Sequence, residues 1–85
     1  MAWELKIDKA VFKELKKFPA NNAKRLIEVI ENLPFNPFFG DLQKMHGKEN
    51  VWRRRIGSYR LFFELYTEQK IIFVYWVERR TSKTY

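Results

Sequence analysis

The stretch Arg53-Arg54-Arg55-Ile56-Gly57-Ser58-Tyr59-Arg60 decides how this chain is interpreted. Gly57-Ser58 is a two-residue turn signal between two strand-like segments, which predicts a β-hairpin. In that hairpin Ile56 pairs with Tyr59, Arg55 with Arg60, and Arg53 with Phe62, so three arginines share one face of a sheet. Like charges directly across a strand pair destabilise a sheet. An anion supplied by a partner would offset this repulsion, and the pattern therefore predicts a phosphate-binding face.

Composition limits the class of protein. The 85 residues predict a single domain over 1–85, and 46% hydrophobic residues supply a core without disulfide or metal staples. The chain has no cysteine and one histidine, His46, which excludes disulfides and cysteine-ligated zinc and predicts no metal and no cofactor. No signal peptide or long apolar run is present, which predicts a cytoplasmic protein without a membrane partner.

The charge balance predicts an anionic partner. Lys and Arg number 17 against 10 Asp and Glu, a net charge of +7. This excess attracts nucleic acid, acidic protein or anionic membrane and does not choose among them. Many of the basic residues lie inside the strand pattern and not in a charged tail.

The first forty residues predict a strand and two helices. Trp3, Leu5 and Ile7 alternate with polar residues as in a half-buried strand. Asp8 is placed to cap a helix over about 9–17, which Pro19 closes. Either Asn21 or Asn22 could cap the second helix, whose apolar positions follow helical spacing: Ala23, Leu26, Ile27, Ile30 and Leu33. Pro34, Pro37 and Gly40, which interrupt regular structure, then predict a loop that runs to about Asn50.

The second half predicts three strands, over about 51–56, 59–67 and 70–78. If Thr67 pairs with Lys70 at the second turn, the following pairs result: Arg60 with Val77, Phe62 with Tyr75, and Glu64 with Phe73. This register places Arg79 on the face of Arg60, and Arg54 on the opposite face near an edge, where its head can reach water. That opposite face, which the helices would cover, carries Tyr59, Leu61, Phe63, Leu65, Ile72, Val74 and Trp76. The element order is β-α-α-β-β-β, an α+β fold.

This order of elements and three local patterns together resemble the RelE/ParE superfamily of toxin–antitoxin toxins. The likeness covers nearly the whole chain. The three patterns are Leu42-x-Lys44-Met45-x-Gly47, the hairpin Trp52-Arg53-x-Arg55-Ile56-Gly57-Ser58-Tyr59-Arg60, and the ending Val77-Glu78-Arg79-Arg80-Thr81-Ser82-Lys83-Thr84-Tyr85. The resemblance implies two helices on one side of a curved antiparallel sheet, with a basic concave face on the other side. It also implies neutralisation by an antitoxin protein encoded alongside the toxin.

Site residues follow from the same resemblance. It implies that Arg60 helps to hold a scissile phosphate, that Arg79 stabilises the leaving group or transition-state charge, and that Tyr85 orients the nucleotide. Arg53 and Arg55 are also predicted to be catalytic; they occupy roughly the places where RelE uses lysines, which is a departure from the family pattern. Further phosphate or RNA contacts are predicted for Arg54, Arg80, Lys48 and Lys83.

RNA can be cleaved without metal when its own 2′-hydroxyl attacks the adjacent phosphorus. The reaction needs a base, cations for the developing charge, and an acid for the departing oxygen. Arginine suits the charge and is a poor base, because its pKa is above about 12. The base remains open among Tyr85, Lys48, Glu49 and Glu78.

Three functions follow from these features. The first is a RelE-type toxin, a metal-independent endoribonuclease that cleaves mRNA on the ribosome and inhibits translation. The second is a ParE-like inhibitor of DNA gyrase without nuclease activity, and the third is a degenerate module that only binds nucleic acid or antitoxin. Two aromatic groups also stay open: Phe35, Phe38 and Phe39 could anchor the loop or line an antitoxin groove, and Phe62 and Tyr75 could fill the sheet face or stack a base.

Overall fold

The computed structural model of the chain describes residues 3–80, which form one mixed sheet and two helices. In chain order the elements are β1 (Glu4–Ile7), α1 (Lys9–Leu15), α2 (Ala20–Asn32), β2 (Asp41–Lys44), β3 (Val51–Ile56), β4 (Tyr59–Tyr66) and β5 (Ile71–Arg79). The strand order across the sheet is β1-β5-β4-β3-β2. The predicted α+β class, with both helices packed on one face, is confirmed.

Two features of the sheet differ from the prediction. β1 pairs in parallel with β5, so the sheet is mixed and not wholly antiparallel. β2 lies inside the predicted loop and adds a fifth strand to the described sheet. Its sequence, Asp-Leu-Gln-Lys, has one apolar residue and no recognisable alternation. Pairing with β3 makes it a strand, and a local pattern does not carry that information.

Helix capping was predicted correctly for α1 and wrongly for α2. The Asp8 carboxylate accepts a hydrogen bond from the Ala10 backbone N–H at 2.8 Å, as predicted, although α1 ends at Leu15. Pro19 occupies the cap position of α2, where no side chain caps the helix. Its fixed φ prepares the first turn, so the asparagines fall inside the helix. Asn22 instead donates from Nδ2 to the Tyr59 hydroxyl at 2.9 Å, which ties α2 to β4.

The core lies between the helices and one face of the sheet. Alternate residues of β4 and β5 contribute fully buried side chains, and α1 and α2 close the core from above; the buried set is Val11, Leu15, Leu26, Ile30, Leu33, Ile56, Tyr59, Leu61, Phe63, Leu65, Ile72, Val74 and Val77. Ile27 was predicted to join the apolar face of α2 but is 39% exposed. Trp76 was also predicted for this face, and Val77 takes its place.

A β-bulge in β5 explains that exchange. From the turn to Phe63 and Val74 the β4–β5 register is the predicted one, including Glu64 opposite Phe73. The register then shifts, so that Phe62 pairs with Trp76 and Tyr75 is the extra residue. The predicted pairs of Phe62 with Tyr75 and of Arg60 with Val77 are therefore wrong. A bulge reverses the parity of every later residue in its strand.

The loop before β2 is anchored mainly by its prolines. Pro34 and Pro37 are buried, whereas Phe35 is 77% exposed. Phe38 makes edge-on contacts with two indole rings, and the distances between ring centres are 6.3 Å to Trp3 and 5.9 Å to Trp52. The predicted anchoring role thus fits Phe38 and not Phe35.

Candidate functional site

An open depression of about 280 Å³ lies on the sheet face opposite the helices, close to the β3–β4 turn. It is lined by six polar side chains from three strands and the residue after β5: Asp41, Gln43, Arg53, Arg55, Arg60 and Arg80. We call it the arginine depression. It is the place where the described part of the chain concentrates guanidinium groups.

The β3–β4 hairpin positions three of these arginines as the sequence predicted. Arg55 lies directly opposite Arg60, and Arg53 lies opposite Phe62. Gly57 has a φ of 58°, a left-handed value that permits the tight turn between the strands. The shared face of Arg53, Arg55 and Arg60 is therefore confirmed.

Arg79 is not on that face. The bulge in β5 places Arg79 opposite Tyr59. The Tyr59 ring lies on the helix side of the sheet, where its centre is 4.7 Å from the centre of the Phe18 ring. The predicted position of Arg79 beside Arg60 is wrong. Arg80 lines the depression instead, and its backbone N–H donates to the Ser58 carbonyl, which holds it beside the hairpin turn. A sequence signal existed: the small apolar Val77 is a better core residue than Trp76, and in this structure a bulge brings Val77 inside.

Neighbouring strands supply hydrogen-bond acceptors to two of the arginines and an ion-pair partner to a third. Arg55 Nε donates to Asp41 Oδ2 at 3.0 Å, and Arg53 donates to the Gln43 side-chain oxygen. Asp41 and Gln43 belong to β2, which the sequence prediction treated as loop, so both were missed. Arg60 Nη1 lies 3.7 Å from Glu78 Oε2.

These contacts leave the depression able to bind an anion. A guanidinium group has five N–H donors, and each internal contact engages only part of them. The Arg55 and Asp41 side chains are more than half exposed, and exposed ion pairs are worth only about 0–1 kcal/mol. A phosphate with several acceptor oxygens could therefore displace or join the internal partners.

Arg54 lies on the helix-facing side near the sheet edge, as predicted. Its Cζ sits 5.5 Å from the centre of the Phe39 ring, and partial burial lowers the pKa of Arg54. Gly40 makes this packing possible, because a Cβ at that position would lie 2.6 Å from Arg54 Nε. Arg54 thus packs beneath the α2–β2 loop, on the side of the sheet away from the arginine depression.

The other predicted residues divide among different places. Lys48, Glu49 and His46 line a separate shallow depression in the loop after β2. Of the four candidate bases, Glu78 is the one that the described residues place beside the depression arginines, through its contact with Arg60. Tyr85 and Lys83 lie outside the described residues. Between residues 3 and 80, neither helix has the length and apolar character needed to cross a membrane.

Comparisons with known proteins agree with this fold. The family model described as ParE toxin of type II toxin-antitoxin system, parDE, matches residues 5–83. The protein named "Putative toxin RelE1" of Methanocaldococcus jannaschii is 34% identical over 83 residues, covering 94% of this chain and 92% of that protein.

Solved structures give the same answer. In the archaeal RelE–RelB complex from Pyrococcus horikoshii, the matching chain has a TM-score of 0.82 and 26% identity, and the match covers 98% of this chain and 100% of that one. In the RelB–RelE complex from Methanococcus jannaschii the TM-score is 0.72 at 26% identity, with 87% and 88% covered. Together with the family model, these matches show that the chain belongs to the RelE/ParE superfamily of type II toxin–antitoxin toxins.

Proposed function

We propose that this protein is a metal-independent endoribonuclease that cleaves mRNA on the ribosome and thereby inhibits translation. The observation that carries the proposal is the arginine depression, in which Arg53, Arg55, Arg60 and Arg80 line one open site. Four guanidinium groups around one depression can donate hydrogen bonds to the oxygens of a phosphodiester and stabilise the additional negative charge of its phosphorane transition state. The relative named as a RelE toxin supports the same activity class.

In this mechanism the 2′-hydroxyl of the substrate attacks the neighbouring phosphorus and the bond to the 5′-oxygen breaks. The departing 5′-oxygen takes up a proton from water, which leaves a 2′,3′-cyclic phosphate and a 5′-hydroxyl. Arg60 and Arg55, opposite each other, hold the non-bridging oxygens. Arg80 takes the charge-stabilising role that the resemblance gave to Arg79. Glu78 is the proposed base, since its carboxylate lies 3.7 Å from Arg60 and can accept the hydroxyl proton. The contribution of Tyr85 remains a prediction.

The proposed protein partner is a cognate antitoxin encoded by a neighbouring gene. Two of the similar solved structures are complexes of a RelE toxin with a RelB antitoxin. An acidic antitoxin would also offset the net charge of +7.

The test is to express the wild type, Arg60→Ala and Arg80→Ala without antitoxin and to map mRNA ends. Each substitution removes one transition-state contact, so cleavage should fall by about 100- to 1,000-fold. Lys24→Ala, an exposed cation on α2, is the matched control and should cleave like the wild type. Intact transcripts in cells arrested by the wild type would refute the proposal.

The rival function, inhibition of DNA gyrase, is favoured by the ParE description of the matching family model. It predicts gyrase-dependent DNA breaks after induction, with transcripts intact. The third possibility, a degenerate binding module, predicts no growth arrest. Arg79→Ala adds a separate readout, since cleavage that depends on Arg79 and not on Arg80 would contradict the register of β5.

A further inference from the structure

Four aromatic side chains lie on the same sheet face as the arginine depression, further along β4 and β5. We call Phe62, Phe73, Tyr75 and Trp76 the aromatic row. The ring centres of Phe62 and Tyr75 are 6.2 Å apart, and those of Phe73 and Tyr75 are 6.4 Å apart. All four side chains are only partly buried, because both helices of the described chain pack on the opposite face. Partly exposed rings on an open face add little to the core.

The bulge in β5 enlarges this row. Tyr75 and Trp76 together face Phe62, so two consecutive residues present rings on the same side of the sheet. A regular strand would have turned one of them into the core. Val77 is fully buried and fills the core position that a regular strand would give to Trp76. The core therefore has no gap where Trp76 faces outward. Bulges commonly redirect side chains beside functional sites.

The aromatic row is continuous with the arginine depression. The Trp76 indole N–H donates to Glu78 Oε1 at 3.2 Å, and the other oxygen of that carboxylate lies 3.7 Å from Arg60. Arg60 and Phe62 are two residues apart on β4, which is about 7 Å along a strand. A phosphate held at Arg60 therefore leaves the attached nucleoside within reach of the first ring.

We propose that the aromatic row is a stacking surface for the bases of single-stranded RNA whose backbone lies in the arginine depression. The identity of the ligand as RNA rests on the proposed function. Aromatic rings stack unpaired bases with little sequence preference, and they do so where cations hold the backbone. Duplex RNA hides the faces of its bases, so the row distinguishes single strands from duplexes while the arginines do not.

The test uses a single-stranded oligouridine with 2′-O-methyl groups, which lacks the attacking hydroxyl and is not cleaved. Fluorescence anisotropy measures its binding to the wild type, Phe62→Leu and Tyr75→Leu. Each lost stacking contact should weaken binding by about 5- to 100-fold and leave the salt dependence unchanged. Binding to a duplex RNA of the same length should not change.

Two further variants separate stacking from general effects. Phe35→Leu removes a ring that is 77% exposed on the α2–β2 loop, and it should bind single-stranded RNA like the wild type. Phe62→Tyr keeps a ring and should restore the affinity that Phe62→Leu loses. Circular dichroism checks that each variant is folded, and Tyr75→Leu provides a second test if Phe62→Leu is not.

The outcomes are distinct for the two proposals. If both leucine variants bind the single strand as tightly as the wild type, or weaken duplex binding equally, the stacking surface is refuted whatever cleavage shows. If binding of an antitoxin depends on the rings while RNA binding does not, the row serves protein recognition and the inference fails. Ring-dependent RNA binding without any mRNA cleavage would instead refute the proposed function and leave the stacking surface standing.

Discussion

Asp41 competes with any anion that enters the arginine depression. Its carboxylate accepts a hydrogen bond from Arg55 at 3.0 Å, and it is the one acid among the six residues that line the depression, whereas Glu78 lies beside Arg60 without lining it. A phosphate that binds Arg55 must share the guanidinium group with Asp41 or displace it. The carboxylate therefore weakens anion binding while it limits the repulsion between Arg55 and Arg60 in the free protein.

The substitution Asp41→Asn should tighten binding of a single-stranded oligonucleotide by up to about five-fold at low salt, because a charge repelling the phosphate is removed. The free energy of unfolding should fall by less than about 1 kcal/mol, since the lost ion pair is exposed. Anisotropy titration and urea unfolding measure the two effects. Glu31→Gln, which removes the same charge from exposed α2, is the control. Equal affinities of the two variants would show that Asp41 does not compete.

Tyr66 gives a second prediction for a single residue. Its hydroxyl donates to Glu64 Oε1 at 2.7 Å, and this hydrogen bond is the main reason that the pKa of Tyr66 is raised. The raised pKa favours the neutral phenol in the folded state. The stabilisation is fully present below the ordinary tyrosine pKa of about 10 and is lost as the pH rises through the folded value.

Glu64→Ala should therefore lower the pH at which Tyr66 ionises, toward the ordinary value of about 10. Absorbance of tyrosinate in an alkaline titration measures the shift. The same carboxylate contributes to the raised pKa of Tyr75 after the effect of burial, so two of the tyrosines should respond. Glu68→Ala, in the exposed β4–β5 turn, is the control and should titrate like the wild type. An unchanged curve for Glu64→Ala would contradict the contact.

At the level of elements, the bulge in β5 decides which arginine joins the depression. The register gives a sharp prediction, because Tyr75 is the extra residue and its deletion restores a regular ladder. Trp76 would still face Phe62, and Val77 would remain in the core. Deletion of Tyr75 should thus lower the free energy of unfolding by only about 1 kcal/mol, the scale of the lost cross-strand ring contacts. Oligonucleotide binding through Arg80 should retain its salt dependence.

Deletion of Val74 is the matched control, since it also shortens β5 by one residue. Tyr75 would then occupy the fully buried position of Val74, opposite Phe63. Overpacking of this kind commonly costs about 1–3 kcal/mol or more. Urea unfolding compares the two deletions. If they are equally destabilising, Tyr75 is not the extra residue, and the placement of Arg80 in the depression loses its basis.

At the level of the whole molecule, local signals were predictable from the sequence and long-range pairing was not. The Gly57-Ser58 turn fixes its hairpin because the turn type sets the register over the next few residues. No comparable signal specifies that β1 pairs in parallel with β5, or that a strand as polar as β2 joins the sheet. The predicted position of Arg79 was wrong for the same reason. The prediction extended the alternation of faces from the β4–β5 turn, and the bulge reverses that alternation before Arg79.

Net charge is also a property of the whole molecule, and its distribution matters more than its sum. The described chain carries cations on both sides of the sheet. One side bears the arginines of the depression, and the other bears exposed lysines of α1 such as Lys9 and Lys13. If RNA bound through net charge alone, the two sides would contribute alike.

The salt dependence of binding separates these cases. For single strands the slope of log affinity against log salt is about −0.7 for each phosphate contact, so four arginines predict a slope of about −3. Arg53→Gln should make the slope less steep by about 0.7, because one contact and its counterion release are lost. Lys13→Gln removes the same charge from the helix side and should leave the slope unchanged. Anisotropy titrations at several salt concentrations give both slopes. Equal changes in the two variants would mean that the strand is held by the overall field of the protein, and that the arginine depression is not its binding site.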